Sequence, residues 1–380
     1  MSQTFGDFTK GEATDAKNPS ASYALQMEVH EKTGLTDKPF TRRQWTRWVL
    51  TSCLGAICIS PPVYAQTEKA RLILAVDEVS SLVHLPVLLA QQLGYFKAEG
   101  MLVDIVEQPI NVFAANASAG MVAWSVPFSQ TLQNSSREDA WRSVVQIGRT
   151  PQLALGVSKK TLPGFKSLKD LEGHRIGVME LDTFAHRCMD FMLLQAGVSH
   201  QRVSFIPLGS SLNAVQAMRT GLVDAVVATD PLMTVLDKRG DIHIVRNLRS
   251  ARETTRVFAG LLPGNSLCVP KALLSKDPQT CQALVNAVVR ALKWLRTAGP
   301  SDLLHAMADS AFLPDRAMYL NAIENLRDSF SVDGSMAPDA YANALRIHHV
   351  LEPTGASTRS TLAPTYTNEF VVRAKKRFNI

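Results

Sequence analysis

Short apolar runs alternate with stretches of helical periodicity from residue 71 to residue 228. The first run, RLILAV, spans 71–76, and it is followed by apolar positions at helical spacing through 93 and by a second run at 101–106. Short apolar runs bounded by turn residues are typical of buried strands. Their alternation with helices predicts a largely parallel sheet with helices on both faces.

The alternation of strands and helices continues to residue 228, and the C-terminal part of the chain is then predicted to be helical. Further strands are predicted at 144–147, 153–158, 174–178, 203–206 and 225–228, and further helices at 167–171, 183–196 and 211–220. After residue 277 the pattern predicts helices alone, at 278–298, 301–310, 314–330 and 336–351. A chain of 380 residues that is 46% apolar can bury one or two sizeable cores. The sequence therefore predicts an α/β fold with a C-terminal helical segment.

A leader precedes this pattern. Arg42 and Arg43 are followed by an apolar stretch at 48–60 that contains no charge, and Val63 and Ala65 place small residues where a signal peptidase accepts them. About 13 apolar residues reach only ~20 Å as a helix, which is short of a ~30 Å hydrocarbon core. We therefore predict a cleaved export signal at 1–65 and a periplasmic mature protein.

The export route stays open at this point. The paired arginines resemble a twin-arginine signal, although the residues after them match that pattern loosely, so Sec export is the alternative. A lipid anchor on Cys53 is a further alternative, but only residues 48–50 would form the apolar region before it. The polar residues 1–40 are a long n-region or reflect a start site at Met27.

Cysteine usage and charge narrow the function classes. Cleavage after residue 65 leaves Cys188, Cys268 and Cys281, an odd number without zinc-type spacing, so we expect three core thiols, no metal and no cofactor. The formal net charge of +6 is spread along the chain without a block of lysines or arginines. Nucleic-acid binding is therefore not expected.

A binding site is predicted where loops leave the strands. In open parallel sheets a ligand lies beyond the carboxyl ends of the strands, where helix N-termini converge. Four loops qualify, at 77–84, 125–131, 180–186 and 209–213, together with residues 229–231 after a fifth strand. The sequence places no lysine or arginine in the four loops.

Each candidate in these loops has a structural alternative. The hydroxyl groups either bind an anion or cap helices, and the carboxylates of Asp182 and Asp230 either bind a ligand amine or cap helices. The two histidine side chains either bind the ligand or have structural partners. The two phenylalanine rings either stack on the ligand or pack in the core. No spacing indicates a catalytic triad. The predicted ligand-binding residues are Ser80, Ser81, His84, Phe128, Ser129, Thr183, Phe184, His186, Ser210, Ser211 and Asp230.

Several phrases, in order, resemble the substrate-binding proteins of nitrate, sulfonate and taurine importers. They are LGYFKAEGMLV at 93–103, SLKDLEGHRIGV at 167–178, LLQAGV at 193–198, VSFIPLG at 203–209 and GLVD at 221–224. The resemblance covers roughly residues 70 to 300. It departs at 111–126, where relatives carry a helix with a Gly-Glu/Gln-Val/Ile-Asp phrase and this chain lacks the aspartate.

The resemblance implies a two-lobed periplasmic-binding-protein type II fold with the ligand in the cleft between lobes joined by two crossover strands. On this basis we expect a leader at 1–65, the first part of lobe I at 66–160, lobe II at 161–255, a return to lobe I with C-terminal helices at 256–350, and a tail at 351–380.

The resemblance also implies a function. We expect a monomeric binding protein, not an enzyme, that delivers a small organic anion such as a sulfonate, taurine or nitrate to an ABC permease and ATPase. One alternative is the pyrimidine-precursor synthase of thiamine biosynthesis, whose cysteine-rich run this chain lacks. Another is a ligand-sensing subunit of a signalling system, which the sequence barely separates from a transport protein.

Overall fold

The computed structural model describes residues 71–109, 121–135, 140–307, 315–352 and 364–380, which belong to one compact unit, Gln66–Ile380. The predicted leader at 1–65 lies outside the described residues. So does most of the divergent segment at 111–126, although its residues from 121 onward form a strand.

The first sheet consists of five strands. They are β1 (Arg71–Val76), β2 (Leu102–Glu107), β3 (Met121–Pro127), β4 (Trp141–Gln146) and β10 (Asn265–Pro270). Their order is β2-β1-β3-β10-β4, with β1 parallel to β2 and β3, and β10 antiparallel to β3 and β4. Side chains alternate between the two faces, so Leu74 and Val76 enter one core while Ala75 enters the other.

The second sheet has the same plan. Its strands are β5 (Ala154–Ser158), β6 (Arg175–Val178), β7 (Ser204–Pro207), β8 (Ala225–Ala228) and β9 (Ile242–Asn247). Their order is β7-β6-β8-β5-β9, with β6 parallel to β7 and β8, and β5 antiparallel to β8 and β9. We call the part built on the first sheet the first lobe and the part built on the second sheet the second lobe.

Helices cover both sheets. They are α1 (Leu85–Gln92), α2 (Tyr95–Ala98), α3 (Ser129–Gln133), α4 (Phe184–Gln195), α5 (Ser211–Thr220), α6 (Leu232–Lys238), α7 (Ala251–Phe258), α8 (Lys271–Lys276), α9 (Pro278–Thr297), α10 (Pro300–Ala306), α11 (Arg316–Arg327), α12 (Pro338–Leu351) and α13 (Glu369–Phe378). Local signals set their ends: Asp277 accepts a hydrogen bond from the Thr280 amide at the start of α9, and Gly221, at φ +81°, ends α5.

The longest of these helices anchors the first core. Leu284, Val288 and Leu292 of α9 recur at helical spacing and are at most 1% exposed, in the same core as Leu74 of β1. Truncating a buried leucine of this kind to alanine costs about 2–5 kcal/mol. The sheet and α9 therefore form the rigid frame from which the loops at the strand ends project.

The chain passes between the lobes twice, through residues 147–153 and 248–264, and the two passages bond to each other. The Gly148 amide donates to the Asn265 carbonyl at 2.8 Å, and the Gly264 amide donates to the Gly148 carbonyl at 2.9 Å. A Cβ atom on Gly264 would lie 2.1 Å from the Thr150 carbonyl oxygen. Only glycine permits this approach of the two backbones.

The structure corrects the expected sheet. The alternation predicts largely parallel strands, but both sheets of the two-lobed fold are mixed, because β5 and β10 each run antiparallel to both of their neighbours. The second sheet begins at Ala154, whereas lobe II is predicted from 161. In the predicted tail, Phe370, Val371 and Ala374 of α13 are buried in the first core. The domain boundaries themselves stay predictions.

Candidate functional site

A cavity of about 390 Å³ lies between the two lobes. The parallel strands β1, β2, β3, β6, β7 and β8 direct their carboxyl ends to it, and the antiparallel strands β5 and β10 begin beside it. The lining residues are Asp77, Glu78, Ser81, Val83, Glu107, Pro109, Pro127, Pro151, Leu153, Met179, Glu180, Thr183, Phe184, Ala185, Gly209, Ser210, Ala228, Thr229 and Asn265. Loops from both lobes thus meet around one space, as expected for open α/β sheets.

Hydrogen bonds join the two lobes beside this cavity. The hydroxyls of Ser81 and Thr229 lie 3.0 Å apart, and the Leu82 amide donates to the Asp230 carbonyl at 2.9 Å. The Ser211 hydroxyl donates to Glu78 Oε1 at 3.1 Å. All three contacts link the loop after β1 with loops of the second lobe, so this flank of the cleft is closed.

Four carboxylates line the cavity: Asp77, Glu78 and Glu107 from the first lobe and Glu180 from the second. No lysine, arginine or histidine is among the lining residues that the structure describes. Within the same described ranges, none of the four carboxylates forms an ion pair with a lysine or arginine. The wall of the cavity is therefore acidic.

A buried polar network supports Asp77. The Asn265 side-chain amide donates to His84 Nδ1 at 3.0 Å and to Ser125 Oγ at 3.2 Å, and both His84 and Ser125 are fully buried. Because Nδ1 accepts, the ring proton lies on Nε2, which donates to Asp77 Oδ1. His84 is therefore buried behind the residues that line the cavity, and its hydrogen bond orients the Asp77 carboxylate, which faces the cavity.

The structure places four of the predicted residues at the cavity: Ser81, Thr183, Phe184 and Ser210. The Thr183 hydroxyl donates to the Glu180 carbonyl at 3.0 Å, and the Ser210 hydroxyl accepts from the Asn213 amide at 3.2 Å as a helix cap. Their role in ligand binding stays a prediction.

Two further predicted serines bond to a carboxylate of the site. Ser80 donates its hydroxyl to Glu78 Oε1 at 2.6 Å, and Ser211 donates to the same oxygen. The sequence predicts these hydroxyls as donors to an anionic ligand. In the structure they already have an anionic partner, and it belongs to the protein.

Other predicted residues lie away from this cavity. Phe128 and Ser129 line a separate pocket of about 30 Å³, where the Phe128 ring stands edge-on to Tyr341 with centroids 6.0 Å apart. His186 accepts from the Asp182 amide at 2.9 Å and packs on Phe205 with ring centroids 4.2 Å apart.

Asp230 is 1% exposed and forms a buried ion pair. One carboxylate oxygen accepts from Arg249 Nη1 at 2.8 Å, and the other accepts from the Thr234 amide and hydroxyl at 2.9 and 2.7 Å. The carboxylate predicted to recognise a ligand amine is thus occupied by protein donors.

Six polar residues that line the cavity are not among those predicted from the sequence: Asp77, Glu78, Glu107, Glu180, Thr229 and Asn265. A signal existed for the four carboxylates, because each ends a strand or follows one within two residues. The hydroxyls are predicted instead because they stand at the starts of helices, where free backbone amides favour an anion. Asn265 had no such signal, since it begins a strand that comes after the entire second sheet.

The described residues contain neither a metal-binding cluster nor a membrane-spanning helix. Across 71–109, 121–135, 140–307, 315–352 and 364–380, no three histidine, cysteine or acidic side chains are grouped to hold a metal ion. None of the helices in those ranges has the length and apolar character needed to cross a membrane.

Comparison with known proteins identifies the family. A family model described as "NMT1/THI5 like" matches residues 81–299. The chain belongs to this family. A structure from Bordetella bronchiseptica RB50 is 33% identical to the NMT1/THI5-like chain, covers 82% of it and 99% of its own length, and superposes with a TM-score of 0.75. No curated protein matches the chain.

Two more distant structures share the fold of this NMT1/THI5-like protein. The alkanesulfonate-binding protein SsuA from Xanthomonas axonopodis pv. citri, solved bound to MOPS, is 17% identical over 79% of this chain and 99% of its own, with a TM-score of 0.60. The periplasmic nitrate-binding protein NrtA from Synechocystis PCC 6803 is 9% identical over 82% and 89%, with a TM-score of 0.65. The predicted family and the two-lobed periplasmic-binding-protein fold class are confirmed.

Proposed function

We propose that this protein is an exported solute-binding protein that captures a small molecule between its lobes and delivers it to an ABC importer. The observation that carries the proposal is the cavity of about 390 Å³ enclosed by loops of both lobes. Ligand pockets in proteins have volumes of about 300–1,000 Å³ and commonly lie between domains. The names of SsuA and NrtA, which share the fold, support a solute-binding role.

The hydrogen bonds across the cleft suggest how binding is signalled. A solute that touches both lobes favours the conformation in which they are close, and this conformation is what a membrane partner would recognise. The bonds from Ser81 and Leu82 to the loop after β8 span the two lobes, so they would stabilise this close arrangement. We therefore propose that a permease and ATPase complex accepts the closed, monomeric protein, without nucleic acid and without a cofactor.

The chemical class of the ligand has to be argued separately from the binding role. The sequence predicts a small organic anion such as a sulfonate, taurine or nitrate, and the names of SsuA and NrtA agree with that class. In this chain the predicted anion donors at the cavity are the hydroxyls of Ser81, Thr183 and Ser210. They share the cavity with four carboxylates, whose charge disfavours a ligand that is purely anionic.

A thermal-shift screen of the purified protein tests the binding role. Solutes of positive, negative, mixed and zero charge are compared, and we expect at least one class to raise the melting temperature, because a ligand that binds only the folded state stabilises it. Small-angle scattering with a saturating hit should then show a smaller radius of gyration. A library without a single stabilising solute, or a hit that is chemically converted during incubation, contradicts the proposal.

Localisation and partners need cell-based tests. Amino-terminal sequencing of the exported form should give Gln66, because the apolar stretch at 48–60 is too short to span a membrane and VYA precedes that residue. Deleting the gene should abolish uptake of the bound solute. Normal uptake together with a lost transcriptional response would instead identify the sensing subunit.

A further inference from the structure

The charges around the cavity have one sign. Asp77, Glu78 and Glu107 reach it from the first lobe and Glu180 from the second, without a lysine or arginine among the lining residues that the structure describes. A solute that carries only negative charge would enter this space against four like charges. Like charges in a partly enclosed, low-dielectric site repel more strongly than in water.

Three of the hydroxyls predicted as donors to an anion already donate to protein acceptors. The Ser80 and Ser211 hydroxyls donate to Glu78, and the Thr183 hydroxyl donates to the Glu180 carbonyl. The Ser210 hydroxyl and one hydroxyl of the Ser81–Thr229 pair keep a proton free to donate, but no lysine, arginine or histidine stands beside them among the described lining residues.

Acceptors, in contrast, are available. Glu107 receives one backbone hydrogen bond, from the Val79 amide at 2.9 Å, although a carboxylate can accept about four. The Glu180 side chain has no hydrogen-bond or ion-pair partner among the described residues, and both glutamates are exposed at the cavity. Ammonium and guanidinium groups carry several N–H donors and suit such unfilled carboxylates.

We propose that the solute carries a positively charged nitrogen, held between the Glu107 and Glu180 carboxylates of the two lobes. This inference rests on the proposed binding function and specifies its ligand class as cationic or zwitterionic. Taurine stays a candidate ligand, because its ammonium group can bind the two glutamates. Simple sulfonates and nitrate, which have no cationic nitrogen, are excluded. Asp77, which His84 orients, supplies a third carboxylate on the first-lobe side.

The screen that tests binding also tests this inference. Putrescine, agmatine and choline serve as cations, taurine and glycine betaine as zwitterions, propane-1-sulfonate and nitrate as anions, and uracil and glucose as neutral probes, with calcium and magnesium chloride included. We expect the tightest binding from probes with a cationic nitrogen. Preference for an anion, a neutral probe or a metal ion overturns the inference and leaves a binding protein, whereas no binding by any probe counts against the binding role itself.

Two isosteric variants locate the contact. Glu180→Gln and Glu107→Gln each remove a negative charge at an exposed position, so we expect the melting temperature without ligand to stay unchanged. Affinity for the best cationic probe should fall about tenfold to a hundredfold in each, which is the loss expected for one charge-assisted hydrogen bond. The matched control is Glu324→Gln on α11, an exposed glutamate paired with Arg327 and absent from the cavity lining.

The variants separate ligand contact from general electrostatics. If Glu180→Gln and Glu107→Gln bind the probe within twofold of the unmodified protein, the assignment of these carboxylates is wrong. An equal loss in Glu324→Gln would show that only the overall charge of the protein matters. Binding of the cationic probe should also weaken as salt concentration rises.

Discussion

Replacing Arg249 by methionine should strongly destabilise the protein. The Arg249 side chain is 6% exposed, and its guanidinium donates to Asp230 Oδ2 at 2.8 Å and to Asn247 Oδ1 at 2.7 Å. Methionine keeps much of the apolar stem but leaves that Asp230 oxygen without its charged donor. Removing one partner of a buried ion pair costs about 3–5 kcal/mol. We expect a value near the lower end, because Thr234 still donates twice to the other oxygen.

Urea unfolding measures this loss. With a slope of about 3 kcal/mol per molar urea, a loss of about 3–5 kcal/mol lowers the unfolding midpoint by about 1–1.7 M. Asp230→Asn should be destabilising for the same reason, and the double variant should lose less than the sum of the single losses because neither charge is left alone. A midpoint drop below about 0.3 M for Arg249→Met, or strict additivity in the double variant, refutes the reasoning.

Solute affinity provides the second measurement on these variants. Because the Asp230 carboxylate faces Arg249 and Thr234, Asp230→Asn should bind the best ligand as tightly as the unmodified protein at a temperature where both are folded. A tenfold loss of affinity with unchanged stability would restore the role that the sequence predicts for this aspartate.

Three other predictions concern stability and reactivity. Gly264→Ala should lower the free energy of unfolding by about 1–3 kcal/mol, since its Cβ would overlap a backbone oxygen, whereas Gly164→Ala, which faces open space, should not. Burial opposes ionisation of Asp224, but hydrogen bonds from Arg175 outweigh it and lower the pKa of this carboxyl to about 2. The ionised Asp224 therefore stabilises the fold fully above pH ~4, and this stabilisation is lost as the pH falls towards 2. In Asp224→Asn the urea midpoint should consequently change less across that pH range than in the unmodified protein. Thiol reagents should modify none of the described cysteines in the native protein and all three in urea, because burial raises their pKa.

Much of the fold followed from periodicity. Strand β1 spans the predicted residues 71–76, β8 spans 225–228, and α9 lies within one residue of the predicted 278–298, because each has a clear apolar pattern and recognisable end residues. The sequence did not predict strands β3, β9 and β10. In β9 the side chains from His243 onward are at least partly exposed, and β10 begins with two polar residues that are buried only through neighbours far away in the chain.

The position of the cavity followed from the sequence, but most of the polar side chains that line it did not. The carboxyl-end rule located the loops at 77–84, 180–186 and 209–213, and the cavity draws residues from all three. Hydroxyls were chosen over carboxylates because local sequence cannot show that Ser211 would meet Glu78, 133 positions away. Tertiary contacts decide which side chains form hydrogen bonds with one another. Only the donors and acceptors that have no partner within the protein are available to a ligand.

The position of β10 has a consequence for the order of folding. This strand separates β3 from β4, yet it is synthesised after all of the second sheet. Until residue 270 has emerged, β3 and β4 each present an unpaired edge, and such edges readily pair with other chains. A chain truncated near residue 250 should therefore aggregate and should not give a folded, ligand-binding fragment. Because long-range pairing of this kind forms slowly, the first sheet is completed late in folding.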